Sequence, residues 1–162
     1  MVAWTVPAIQ VATAVPAFAG SGCCSLSASG NASWRAGELN YIDIPLDITN
    51  ECSTAVTGLT VILTICGLQD ITYTGEQYLP AGWVQGGKGN KKLDPDENGC
   101  YTLTFTSAQS LPGDTTTHPV FTAKTMAYTG SGDNRPAGSI TVTVSTPGCS
   151  ADTFSIVLPQ VG

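Results

Sequence analysis

Residues 41–49 read YIDIPLDIT and residues 57–66 read TGLTVILTIC. Apolar residues occupy every second position of the first stretch, namely Ile42, Ile44, Leu46 and Ile48. A period of two places these side chains on one face of a β-strand, so both stretches predict half-buried strands. Pro45 has no N–H to donate, which predicts that the first strand lies at a sheet edge or carries a bulge.

The same alternation recurs along the chain. It is found at 100–106, 119–128, 139–145 and 153–158, with weaker candidates at 70–74 and 83–85. The connections are rich in Gly, Pro, Asn and Asp, which favour turns. No segment after residue 20 carries a helical apolar stripe. We therefore predict an all-β fold, an antiparallel β-sandwich of about seven or eight strands, with a closed barrel as the alternative.

Charge is scarce in this chain and mostly negative. Only 11% of residues are charged, against ~25% in an average globular domain. The formal net charge is −6, with six Lys and Arg residues in all. Nucleic acids and anionic lipid surfaces attract proteins with basic patches, so neither is an expected partner.

Several stretches resemble one family of domains. LDITNECSTAVTGLTVILTI at 46–65, LPAGW at 79–83 and AGSITVTVS at 137–145 are similar to segments of immunoglobulin-like repeats on bacterial surface proteins. The stretch at 111–124 fits the same pattern, so the resemblance covers roughly residues 39–146. It implies an immunoglobulin-like sandwich in an exported cell-surface or matrix protein. The implied role is structural or adhesive, with no catalytic residues to transfer.

The amino-terminal stretch predicts export. Residues 2–19 are uncharged and end in Ala-Phe-Ala before Gly20, as expected for the apolar region and cleavage site of an export signal. The stretch resembles the back half of twin-arginine signal peptides of exported actinobacterial proteins, although no Arg-Arg pair precedes it. We expect residues 1–19 to be a signal remnant and 20–162 to be one domain without a membrane span. The alternative is a first strand of the domain.

Cysteine content fits an oxidising compartment. The six cysteines are Cys23, Cys24, Cys52, Cys66, Cys100 and Cys149. There is no C-x-x-C pair and only one histidine, so disulfides are favoured over a thiolate metal site. Six cysteines allow many pairings. We predict that Cys66 pairs with Cys100 and that one of the two adjacent cysteines pairs with Cys149.

One segment is dense in oxygen ligands. Asp94, Asp96 and Asn98 lie within DPDENG at 94–99 and offer the carboxylate and carbonyl oxygens that calcium prefers. The spacing departs from that of an EF-hand, because no Glu occupies the twelfth position. A tight turn is the favoured interpretation, since Asp-Pro and Asn-Gly both form turns. Calcium is therefore the only cofactor considered.

Aromatic residues are the main sign of a binding face. Trp83, with Tyr78 nearby, and Trp34 are candidate stacking platforms for sugar rings. Packing inside the sandwich would explain the same aromatic residues, and for Trp83 this interpretation is favoured.

The sequence offers little catalytic chemistry. His118 is the only histidine, and no nucleophile motif accompanies it. We therefore expect a secreted structural or adhesive protein rather than an enzyme, self-assembling through its sheet edges or binding cell-wall components. The alternative is a carbohydrate-binding module whose partner is a polysaccharide. If residues 6–15 were retained, they could donate a strand to another copy.

Overall fold

A computed structural model describes residues 25–38, 40–87, 91–128 and 134–161. The predicted export signal and Cys23 and Cys24 lie outside the described residues. The described chain forms eleven strands: β1 (Leu26–Gly30), β2 (Ser33–Trp34), β3 (Tyr41–Asn50), β4 (Leu59–Cys66), β5 (Ile71–Thr72), β6 (Trp83–Gln85), β7 (Tyr101–Ser107), β8 (Thr115–Thr117), β9 (Val120–Thr125), β10 (Gly138–Ser145) and β11 (Asp152–Leu158). One turn of 3-10 helix, Glu76–Tyr78, precedes β6.

The strands form two antiparallel sheets. Sheet 1 has the order β1-β3-β9-β5, with β2 and β8 also paired to β3. Sheet 2 has the order β11-β10-β4-β7-β6. Alternate residues of both sheets point to a shared core, which includes Ile44 of β3, Leu63 of β4, Phe105 of β7 and Val142 of β10. The predicted all-β sandwich is therefore confirmed.

The strand order is that of an immunoglobulin-like domain. In such domains strands A, B, E and D face strands G, F and C, and variable-type domains add C′ and C″ beside C. Sheet 1 corresponds to A-B-E-D and sheet 2 to G-F-C-C′-C″. The chain order differs at two points: β5 comes before β6 and β7 whereas D follows C″, and β6 comes before β7 whereas C′ precedes C″.

Neither the sheet edge nor the bulge predicted for Pro45 is found, because the pairing register of β3 is the same before and after Pro45 on both sides. β3 is an interior strand, with β1 and β2 on one side and β8 and β9 on the other. The carbonyl of Pro45 accepts the N–H of Asn31 at 3.3 Å, so its missing donor faces the break between β1 and β2. A Cβ on Gly30 would come within 2.6 Å of the Pro45 carbonyl oxygen. The break between β1 and β2, together with the lack of a side chain at Gly30, thus accommodates Pro45 within the sheet.

The disulfide predicted between Cys66 and Cys100 is confirmed. It links the end of β4 to the residue before β7 and closes a loop of 34 residues that contains β5, the 3-10 helix and β6. Cys149 is also disulfide-bonded; its predicted partners, Cys23 and Cys24, lie outside the described residues, so that pairing stays a prediction. The Sγ of Cys52 lies 3.9 Å from the carbonyl oxygen of Ser25.

Candidate functional site

The two sheets meet at one lateral side of the sandwich, here called the closed margin and formed by β1 and β11. Ser25 and Ser150 form a parallel bridge there. The main-chain N–H of Ala28 also donates to Oδ2 of Asp152 at 2.7 Å. Main-chain pairing and a charge-assisted hydrogen bond therefore join the outermost strands of the two sheets.

The opposite side, here called the open margin, is formed by β5 and β6. The segment 91–93 covers β5: the N–H of Tyr73 donates to the carbonyl of Lys91 at 3.0 Å, and the N–H of Leu93 donates to Ile71 at 2.9 Å. Lys92 in this segment pairs with Asp70, and this hydrogen bond raises the pKa of Lys92. β6 is the last strand of sheet 2, and no described strand lies beyond it.

A groove of about 690 Å³ lies at the open margin. Its lining includes Thr74, Glu76, Leu79, Pro80, Trp83 and Gln85. The loop after β6 lies close to the chain that follows β5, because a Cβ on Gly87 would overlap the ring of Tyr73. Leu79 and Pro80 supply apolar wall, and Glu76 is the only charged residue of the lining within the part of the chain that the structure describes.

Trp83 forms part of the groove but does not offer an exposed ring. Its side chain is 7% exposed and packs edge-on against Phe121 of sheet 1, with ring centroids 5.0 Å apart. The hydroxyl of Ser107 holds the preceding turn by donating to the Gly82 carbonyl at 2.9 Å. Core packing, the favoured sequence interpretation of Trp83, therefore agrees with its burial.

Gln85 is a polar group that sequence reasoning missed. Its Oε1 accepts a hydrogen bond from the hydroxyl of Thr74 at 3.3 Å. Its Nε2 is buried and has no hydrogen-bond partner within the described residues. Buried donors are rarely left unpaired, because the lost hydration costs about 1–3 kcal/mol. No local sequence signal marks Gln85, because the groove forms only when the chain after β5 folds beside β6.

Trp34 and Tyr78 lie away from the groove floor. Trp34 is 9% exposed and packs edge-on against Tyr128 at 5.9 Å. Burial raises the pKa of the Tyr128 hydroxyl. Trp34 is thus part of the core, like Trp83, and the structure does not bring it together with Trp83 and Tyr78 as one platform.

Tyr78 belongs to a cluster on sheet 1. Its ring lies 4.8 Å from that of Tyr41, and the guanidinium of Arg35 lies 5.2 Å from its centroid. A hydrogen bond with Tyr41 raises the pKa of Tyr78. Arg35 also forms ion pairs with Asp43 and Glu38. These contacts, and the hydrogen bonds with Asp43 above all, raise the pKa of Arg35. The Tyr78 ring and the Arg35 guanidinium are therefore engaged in cation–π and ionic contacts within this cluster.

The predicted calcium segment is folded as a turn. Oδ1 of Asp96 accepts the N–H groups of Asn98 and Cys100 at 2.8 and 2.9 Å, and Asp94 is exposed. No group of three or more His, Cys, Asp or Glu side chains in the described ranges is arranged to hold a metal ion. The turn interpretation has direct support, and calcium binding stays a prediction.

The outer faces of the two sheets differ in charge. Sheet 1 presents Arg35, Asp43, Asp47 and Lys124, and Asp47 contacts Nδ1 of His118 at 2.6 Å. Sheet 2 presents a face with no charged residue among its described outward positions. These positions are Thr60, Ile62, Thr64, Val84, Thr102, Thr104, Thr106, Ser139, Thr141, Thr143, Ser145, Thr153, Ser155 and Val157.

The chain is similar in fold to several solved structures. An immunoglobulin-like protein from Nocardia farcinica is 13% identical, with a TM-score of 0.42 and coverage of 80% of this chain and 81% of that one. AvmM, which catalyses macrocyclization in alchivemycin A biosynthesis, is 11% identical, with a TM-score of 0.37 and coverage of 86% and 90%. The collagen-binding domain of a Staphylococcus aureus adhesin is 13% identical, with a TM-score of 0.39 and coverage of 82% and 95%.

No family model and no curated protein matches the chain. Among the residues that the structure describes, no helix has the length and apolar character needed to cross a membrane.

Proposed function

We propose that this is an exported structural or adhesive protein of the cell surface or matrix, without catalytic activity. It contacts copies of itself or cell-wall components through the outer face and edges of sheet 2. The observation that carries this proposal is the absence of charge across that face, in a chain whose net charge is −6. Two negatively charged copies repel each other least when they approach through faces without charged side chains, and such faces also carry no charge that loses its hydration on contact.

Hydroxyl groups are arranged in rows across this face. Thr64 on β4 lies opposite Thr102 of β7 on one side and Thr141 of β10 on the other. The hydroxyls of Thr143 and Thr153 lie 3.1 Å apart across the next pair of strands. The cores of protein interfaces are depleted in charged residues, and this face meets that condition over four adjacent strands.

The test is the solution mass of the full, oxidised chain by light scattering, together with its retention on bacterial cell-wall preparations. We expect assembly or retention in the wild type and its loss in the double variant Thr102→Glu/Thr141→Glu, which places two charges on this face. The matched control, Ser27→Glu/Thr116→Glu, places two charges at equivalent positions flanking Thr49 on sheet 1. A monomer that binds no cell-wall preparation, or equal effects of both variants, contradicts the proposal.

Carbohydrate binding is the alternative that the aromatic residues suggested. Sugar rings stack on exposed aromatic faces, but Trp34 and Trp83 are both buried, and the ring of Tyr78 packs against that of Tyr41 with the two planes tilted by 42°. The groove beside Trp83 is the place where a sugar would fit. This alternative predicts retention on an insoluble polysaccharide that Trp83→Ala abolishes without lowering the thermal midpoint.

A further inference from the structure

We propose that the edge of β6, which has no described strand beyond it, and the groove beside it accept an extended, uncharged peptide segment of a partner protein, which adds to sheet 2 as a sixth strand. The inference deepens the proposed function and rests on it, because it names the partner class that one edge of sheet 2 would hold. Strand addition of this kind joins main-chain hydrogen bonds to pockets for alternate side chains.

The other long edges of the described sandwich are joined or covered in part. The short strands β2 and β8 pair only with β3, and β6 differs from them in lying beside the groove of about 690 Å³. β1 and β11 are joined to each other at the closed margin, through the Ser25–Ser150 bridge. β5 is covered by 91–93, which carries the exposed cations Lys91 and Lys92. Edge lysines discourage the addition of a further strand. β6 carries no charge, and Val84 at its centre is 61% exposed.

The hydrogen-bond pattern shows which groups β6 presents outward. The N–H of Gly86 donates to the carbonyl of Thr104 at 2.8 Å, so Gly86 and Val84 direct their main-chain groups toward β7. In an antiparallel pair the residues between them direct theirs away. The outward groups are therefore the N–H and carbonyl of Gln85 and the carbonyl of Trp83. The N–H of Trp83 is already bonded to the carbonyl of Pro80 at 3.1 Å.

The groove provides the side-chain part of the site. Trp83 and Gln85 share the inner face of β6, so they point into the groove that a sixth strand would line. Alternate side chains of the guest would contact Leu79, Pro80 and Trp83. The Nε2 of Gln85 is buried and lacks a partner among the described residues, so a guest carbonyl would reach it only if the Gln85 side chain turned toward the guest. A volume of about 690 Å³ falls within the usual ~300–1,000 Å³ of ligand sites.

The size and charge of the site define the guest. β6 has three residues, too short an edge for a folded copy, since a stable interface buries about 800 Å² on each partner. A single extended segment reaches both the edge and the groove. Glu76 is the only charged residue among the lining residues that the structure describes, so the described part of the groove disfavours an acidic guest.

The test uses the full chain and a synthetic hexapeptide of alternating Thr and Val, acetylated and amidated at its ends. Amide hydrogen exchange is followed by nuclear magnetic resonance. At saturating peptide we expect exchange of the Gln85 N–H to slow at least tenfold, while that of Val84, already bonded to β7, stays unchanged. The control peptide has the same side chains with alternate nitrogens methylated, and it should give no protection because it lacks the donors.

Variants of Gln85 separate the two parts of the site. Gln85→Pro removes the outward N–H and should abolish peptide binding, whereas Gln85→Ala keeps it and should only weaken binding. Equal protection by both peptides, or protection of Gln85 by cello- or chito-oligosaccharides and not by the peptide, overturns the inference. If the peptide does not bind but light scattering still shows assembly that Thr102→Glu/Thr141→Glu removes, this inference fails and the proposed function stands.

Discussion

The closed and open margins are built from the same kinds of strand but covered differently. At the closed margin β1 and β11 join the two sheets through a main-chain bridge and the carboxylate of Asp152. At the open margin β5 is covered by an excursion of the chain, and β6 ends sheet 2 beside a groove. The difference shows that the closed margin links the two sheets by main-chain pairing, whereas the open margin leaves the short, uncharged strand β6 with no described strand beyond it. Four changes test how far the two margins behave as separate units.

The largest effect is expected from Trp83→Ala at the open margin. The substitution removes a buried indole packed on Phe121, so we expect the free energy of unfolding to fall by about 4 kcal/mol. Urea denaturation measures the loss, and Trp83→Phe is the control that keeps an aromatic ring against Phe121. A thermal midpoint left unchanged by Trp83→Ala would show that Trp83 is a surface platform after all.

Removing the disulfide should come next. Cys66→Ala/Cys100→Ala opens a loop of 34 residues, and loss of this constraint on the unfolded chain should cost about 3 kcal/mol. Because the loop contains β5 and β6, amide exchange should rise first at the open margin. A uniform rise over both margins would mean that they unfold as one unit.

Asp152→Ala tests the closed margin. It leaves the part-buried N–H of Ala28 without the carboxylate that now accepts it at 2.7 Å, so we expect a loss of about 2 kcal/mol. Asp152→Asn keeps an acceptor oxygen and should lose less. Peptide protection of Gln85 should be unaffected by either change, and a coupled loss would contradict the independence of the margins.

The smallest effect concerns pH at the open margin. The pKa of Lys92 is raised by its hydrogen bond with Asp70, so the contact stabilises the fold fully below the ordinary lysine pKa, about 10.4. This contribution is lost as pH rises through the raised pKa. Thermal midpoints of wild type and Lys92→Gln should therefore differ near neutral pH and converge in strong alkali. Curves that stay parallel to high pH would show that the contact adds nothing.

Local alternation predicted most of the strands. Residues 83–85 and 153–158 were identified with boundaries within one residue of β6 and β11, because period-two patterning is a property of consecutive residues. The predicted strand at 119–128 ends earlier, at Thr125. Pro45 misled the prediction of sheet position, because its accommodation depends on a break in another strand.

The candidate site was only partly predictable. Trp83 stood out by residue type, but its side chain is buried by Phe121, which is 38 positions later in the chain. Gln85 carries no local signal, and its partner Thr74 precedes the 3-10 helix. The difference in charge between the two outer faces appears only when the register of the five strands of sheet 2 is known, because it depends on which residues of neighbouring strands lie side by side.

The Cys66–Cys100 disulfide also separates the segment between these two cysteines from the rest of the domain at a single point of the sheet. Ile65 of β4 lies directly opposite Tyr101 of β7, so a tight turn could join these strands as a simple hairpin. The segment between the two cysteines could then vary in length and sequence, provided that it still supplies core side chains in place of Ile71 and Trp83. Relatives that differ mainly in this segment would keep the scaffold and change the guest, and grafted loops between the same two positions would make the domain a display framework.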